Sequence, residues 1–243
     1  MKTKLPQLRK LYKTRYLFRL SVLAFVIVMC FADPQSFSVL DGFNFFSTFS
    51  WLHLLWAGWI VGMVLQLIPA KGYLPLGSVK QFKEFYQPMK KLLDRKELVA
   101  FVKKGGIDSL KVLLIWVILV AGIGVLWMMK WITKKELFLF SVVFYVLDLT
   151  FVLFWCPFRV LILKNRCCTT CRIFNWDHMM MFSPLLFTLG FYAISLFALA
   201  IAVFLVWEIC FFLHPERFFE ETNAALKCQN CTDNLCGNKN CRL

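Results

Sequence analysis

The chain lacks the short signatures of the common soluble enzymes. It has no phosphate-binding glycine loop, no dinucleotide fingerprint, no H-E-x-x-H and no G-x-S-x-G. Nucleotide-phosphate, zincin and hydrolase-elbow chemistry are therefore without their usual residues. No internal repeat is present, and the glycine-punctuated alternation of apolar and polar residues that builds a transmembrane barrel is missing. Charge is scarce as well: 17% of residues are charged, only 14 are acidic, and there are three histidines.

What fills the space is apolar. Sixty per cent of the residues are hydrophobic, 27 of them phenylalanine, which exceeds the usual content of soluble domains. A spanning helix needs about 20 mostly apolar residues. Five runs are of that order: Tyr16 to Ala32, Phe46 to Pro69, Leu110 to Met129, Leu137 to Leu163 and Phe182 to Leu213. The expected fold is an all-α, polytopic integral membrane helical bundle of about five transmembrane helices with a short Cys-rich C-terminal tail. Its segments are a basic N-terminus (1–15), helices one and two (16–69), a basic amphipathic loop (70–109), helices three and four (110–163), a Cys-rich loop (164–181), helix five (182–213) and the tail (214–243). The first run also has the outline of a signal peptide. Its long basic lead and imperfect A-x-A pattern favour a retained helix, with Cys30 as a helix-end thiol.

Charge orients these helices, because basic loops stay cytoplasmic. The first 19 residues carry seven basic residues and no acid, so the N-terminus is expected inside a cell membrane. Five crossings then put 21 basic and 5 acidic residues inside, and 7 of each outside. The net charge of +14 is spread over membrane-adjacent loops without a nucleic-acid motif, so lipid headgroups rather than nucleic acid are the expected contact. Between Val79 and Val102 the residues Phe82, Phe85, Tyr86, Met89, Leu92, Leu93 and Leu98 recur at helical spacing. They suggest an inner-leaflet helix broken near Pro88, with Gly105 and Gly106 turning into helix three. A small helical hairpin packed on other loops is the competing reading.

Eight of the ten cysteines form two groups: Cys156, Cys167, Cys168 and Cys171, then Cys228, Cys231, Cys236 and Cys241. On the cytoplasmic side a structural disulfide is not expected, and clustered thiols point to metal or redox work. Arg166 and Arg172 flank Cys167, Cys168 and Cys171 and would favour thiolates, making these three the candidate reactive thiols. With Cys156 as fourth ligand the group is a candidate zinc or iron–sulfur site. On a continuous helix Cys156 would lie about 16 Å from Cys167, so only a chain reversal could unite them. Asp177 or His178 competes for that place, and lipidation or inert thiols are the bland readings. The tail group reads as two disulfides if five helices place it outside, or as a compact metal site if a hairpin near Gly190 returns it inside. In that second case both groups would share one face.

Asp148 lies near the middle of helix four, where a carboxylate is costly and marks a proton or cation site, or a structural hydrogen bond to a neighbour such as Gln66 or Ser141. Glu208 is expected to snorkel near the outer end of helix five. His53 and His214 could hold haem if they met, although nothing in their spacing requires it. The functional expectation is metal binding or thiol and electron-transfer redox chemistry at the membrane. The alternatives are a non-enzymatic scaffold or subunit, and a small ion or proton transporter using Asp148. A partner membrane or redox protein and a homo-oligomer fit these readings.

Overall fold

In the computed structural model the chain is all-α, with no strand among the described residues, which are 5–69, 74–89, 94–231 and 233. Residues 1–4 of the basic N-terminus, Leu92 and Leu93 of the amphipathic pattern, and Cys236 and Cys241 lie outside them. The helices are α1 (Leu5–Ala32), α2 (Leu52–Gln66), α3 (Leu76–Val79), α4 (Arg95–Met128), α5 (Lys134–Leu153), α6 (Asp177–Phe182) and α7 (Phe191–Leu213). Four of them, α1, α4, α5 and α7, are long and apolar enough to cross a membrane, while the 15-residue α2 is shorter.

These helices are apolar on nearly every side, so burial selects one stripe of each. In α7 the inward stripe is Tyr192, Leu196, Ala200, Val203, Trp207 and Phe211, at the three- and four-residue spacing of one helical face. Val22, Val26 and Cys30 of α1 and Leu52, Trp59 and Met63 of α2 meet it at one end, with Leu137, Phe138 and Val142 of α5. Trp116 of α4, Ile173, Trp176 and Phe218 close the other end. Leu110, Leu114, Ile118 and Phe212 face outward, bare, at more than 60% exposure. A patch this wide and apolar fits contact with lipid tails.

The predicted helix over 182–213 is two passes through the bundle. Asp177 stands beside Gln66 at the end of α2. From there α6 and a 3-10 stretch, Ser183–Thr188, carry the chain about 21 Å to Leu189, which adopts a left-handed conformation. Gly190 then touches the backbone of the α1–α2 connection, where a Cβ would sit 1.9 Å from the Leu40 carbonyl oxygen. Phe191 N–H donates to Gly42 O at 2.8 Å, and α7 runs back. Pro184 and Gly190 are the physical cause, one at the start of the 3-10 turn and the other at a contact no side chain fits.

This reversal brings the tail back to the end that carries residues 164–176. Asn223, fully buried, accepts from Gln87 N–H and Ala225 N–H, Ala224 N–H donates to Gln87 O, and Arg217 reaches Gln81 O. Leu76 N–H donates to Asp233 Oδ2 at 2.7 Å. The expected turn at Gly105 and Gly106 is absent, because both lie inside the continuous α4. Residues 76–89 form a short helix, a 3-10 turn and an extended piece against the tail in place of a leaflet helix.

Candidate functional site

Helix α5 ends just ahead of Pro157, which cannot donate to the helical ladder. A π-helical turn follows (Phe158–Leu163), and Lys164 takes a left-handed conformation that sends the chain back. Cys168 Sγ comes within 4.0 Å of Phe151 O. The reversal unites what a straight helix would separate, for Cys156, Cys168 and Cys171 line one cavity of about 310 Å3. Its other walls are mostly aromatic and aliphatic, with Asp148, Arg159 and Asp177 as the charged groups.

Cys168-Thr169-Thr170-Cys171 is a 3-10 turn in which Cys171 N–H donates to Cys168 O at 3.0 Å. Side chains three apart on such a turn eclipse about 6 Å apart, within the range a disulfide can bridge. Cys228-Gln229-Asn230-Cys231 folds the same way, with Cys231 N–H donating to Cys228 O. The two turns come from chain segments 57 residues apart, yet Cys167, Cys168, Cys231 and Asp233 border one small gap. The expectation that the two groups lie on opposite faces is corrected by the double pass of 177–213.

A buried lysine holds the first turn. Lys80 follows α3, is 0% exposed, and donates from Nζ to Thr169 O at 3.0 Å and to Cys171 O at 2.7 Å. Trp207 and Phe218 cover it with their rings. Burial pulls Lys80 down to about 7. Burial also pushes Cys168 up to about 12 and Cys171 up to about 11. For Cys168 and Cys171 burial thus works against the thiolate that flanking arginines are expected to favour. Arg172 is engaged elsewhere: its guanidinium pairs with both oxygens of Glu208 and lies 3.6 Å over the Phe211 ring. Trp176 Nε1 completes the Glu208 carboxylate at 2.8 Å. Glu208 thus belongs to a buried pair at the cysteine end and does not snorkel at the far one.

The expected metal set is not assembled. Among the described residues no three or more of His, Cys, Asp and Glu are gathered to hold an ion. Cys167 Sγ turns to its own Thr169, 2.6 Å from Oγ1, and Cys156 Sγ accepts from Arg159 N–H, so each is engaged within its own turn. The tail set is described only at Cys228 and Cys231.

Asp148 is partnered by one of the basic residues expected at the headgroups. Arg19 of α1 reaches it at 2.6 Å and lies 4.0 Å over the Tyr145 ring. Gln66 donates to Asp177 and Ser141 to Leu137 O, so neither expected neighbour serves. A second cavity of about 300 Å3, lined by Arg15, Arg19, Gln66, Ser78 and His178 among others, also touches Asp148 and Asp177. The two carboxylates, with Val152 and Phe174, line both this more polar cavity and the thiol-lined one. His53 bonds Phe45 O and His214 faces Glu216. They sit at opposite ends of the 23-residue α7, about 35 Å apart, so they cannot share a haem. No family model, curated protein or solved structure matches the chain.

Proposed function

We propose that this chain is a multi-pass membrane protein that carries out thiol–disulfide redox chemistry at its cysteine end. Cys168 and Cys171 are the exchanging pair, and Cys228 and Cys231 the second pair that relays with them. The observation that carries this reading is that two like-folded C-x-x-C turns each bring one cysteine, Cys168 and Cys231, to the border of one gap. Oxidation of either pair breaks two S–H bonds and forms one S–S bond, and the second pair receives or supplies the electrons by exchange. Lys80 holds the carbonyls of the first turn and sets its register. The basic loops favour a cytoplasmic position for this end. The tail carries as many acidic as basic residues, so its return to that side leaves the charge bias intact.

The test is exchange between the reduced full chain and oxidised glutathione, read by mass after acid quenching and alkylation. The expected result is a disulfide in wild type that is lost in Cys168→Ser and in Cys171→Ser. Equal oxidation in both variants would remove the reading. A second reading, proton or cation handling by Asp148, draws on the polar cavity that it shares with Arg19, Asp177 and His178. Proton uptake by proteoliposomes that disappears in Asp148→Asn supports it, and undiminished uptake removes it.

A further inference from the structure

We infer that the cavity bordered by Cys156, Cys168 and Cys171 binds a quinone-class two-electron carrier that oxidises the Cys168–Cys171 dithiol. The inference rests on the thiol-redox reading above and names the substrate class of that site. Three observations lead to it.

The first is the shape and lining. At about 310 Å3 the cavity is at the lower end of small-ligand sites and is large enough for one or two fused rings. Trp116, Phe144, Phe151 and Phe158 supply aromatic faces to a flat apolar guest. The second is its position. Leu119 of α4 lines the cavity and is also 41% exposed on the outward apolar surface, so the wall reaches the face that lipid would cover. An isoprenoid tail could leave by that side while the ring stays within.

The third is the set of polar groups. Arg159 lines the cavity, and its Nε is buried with no hydrogen-bond partner among the described residues. Nε itself is closed off, so the donors that a quinone carbonyl oxygen would use are the terminal N–H groups of the same guanidinium. Saturated acyl chains would fill the apolar space but offer nothing to those donors and nothing for three thiols to reduce.

The step balances without another reactant. Two S–H bonds break and one S–S bond forms between Cys168 and Cys171. The two electrons and two protons convert the quinone's carbonyl oxygens to the hydroxyls of the quinol. Because burial keeps the thiols protonated, a proton acceptor beside them is needed when the first thiol attacks. Asp148 and Asp177 border the same cavity and also the polar one behind it, so either can take that proton and return it to the reduced ring.

The experiment uses the full chain, reduced, freed of reductant and reconstituted in nanodiscs, with decylubiquinone and menadione as probes. Quinol formation is followed by absorbance, and alkylation of Cys168 by mass. About one quinol per chain is expected in a single turnover, together with at least tenfold slower Cys168 alkylation when oxidised quinone is present with the exchange-dead Cys171→Ser chain. Leu147→Trp, which fills the cavity, should raise the quinone Kd at least tenfold, its folding being checked by a thermal melt. Glutathione exchange by wild type without any quinol formation would overturn this inference and leave the redox reading standing. Quinol formation unaffected by Leu147→Trp would also overturn it. Absence of both activities would remove the redox reading itself.

Discussion

Replacing Asp148 by Asn leaves the Arg19 guanidinium inside the bundle without its carboxylate. Removing one member of a buried pair typically costs about 3–5 kcal/mol, chiefly because the remaining charge loses its partner. Here the side chains are 16% and 28% exposed toward a polar cavity, so about 2–3 kcal/mol is the expected loss. The Tyr145 ring remains under the guanidinium and retains about 1 kcal/mol of its attraction. Arg19→Met alone should cost a similar amount, since it leaves Asp148 unpaired. The double variant Arg19→Met, Asp148→Asn should lose little more than either single variant, because no charge is then left without its partner. The assay is an SDS unfolding titration in mixed micelles, followed by tryptophan fluorescence, on all four proteins. A coupling energy of about 2 kcal/mol is expected. Single losses that simply add, or an Asp148→Asn loss below about 0.5 kcal/mol, would refute the pairing of α1 with α5 through these residues.

The hairpin and the thiols give two further tests. Gly190→Ala would drive a methyl into Leu40 O and should cost about 3 kcal/mol. Gly122→Ala, which meets open space within α4, should be neutral or stabilising by up to about 1 kcal/mol; equal melts for the two variants in detergent would contradict the contact. Raised from the ordinary 9.0, Cys171 at about 11 and Cys168 at about 12 hold roughly 100- and 1000-fold less thiolate at pH 7.5 than free cysteine. Their maleimide alkylation in the folded protein should climb about tenfold per pH unit past pH 9, where an unfolded control levels off. A plateau near pH 9 for both would refute their burial.

Much of the fold was legible because long apolar runs in a chain with few charges admit few alternatives. The runs behind α1, α4, α5 and α7 were found within a few residues at several ends. The hairpin near Gly190 stands in the sequence only as the alternative to a single crossing, because its first arm, residues 177–188, is a six-residue helix and a 3-10 stretch too short to stand out as a run of its own. Charge could not reveal it either: residues 214–243 carry four acids and four bases, so moving the tail across the membrane changes no bias. The thiol cluster was legible as a group, and a chain reversal was identified as the condition for uniting Cys156 with the rest. Lys80 was not legible, since one lysine among ten basic residues in a loop carries no mark of burial. Arg19 was counted with the headgroups for the same reason, although it lies within the length of α1 that crosses the bundle.

The meeting of the two C-x-x-C turns can be tested by trapping it. A chain keeping only Cys168 and Cys231, with the other cysteines replaced by serine, is oxidised in native membranes with copper–phenanthroline and digested for mass analysis. Residues bordering one gap should give an internal Cys168–Cys231 disulfide in most molecules. No cross-link, together with labelling of the two thiols by an impermeant maleimide from opposite faces of the membrane, would contradict it.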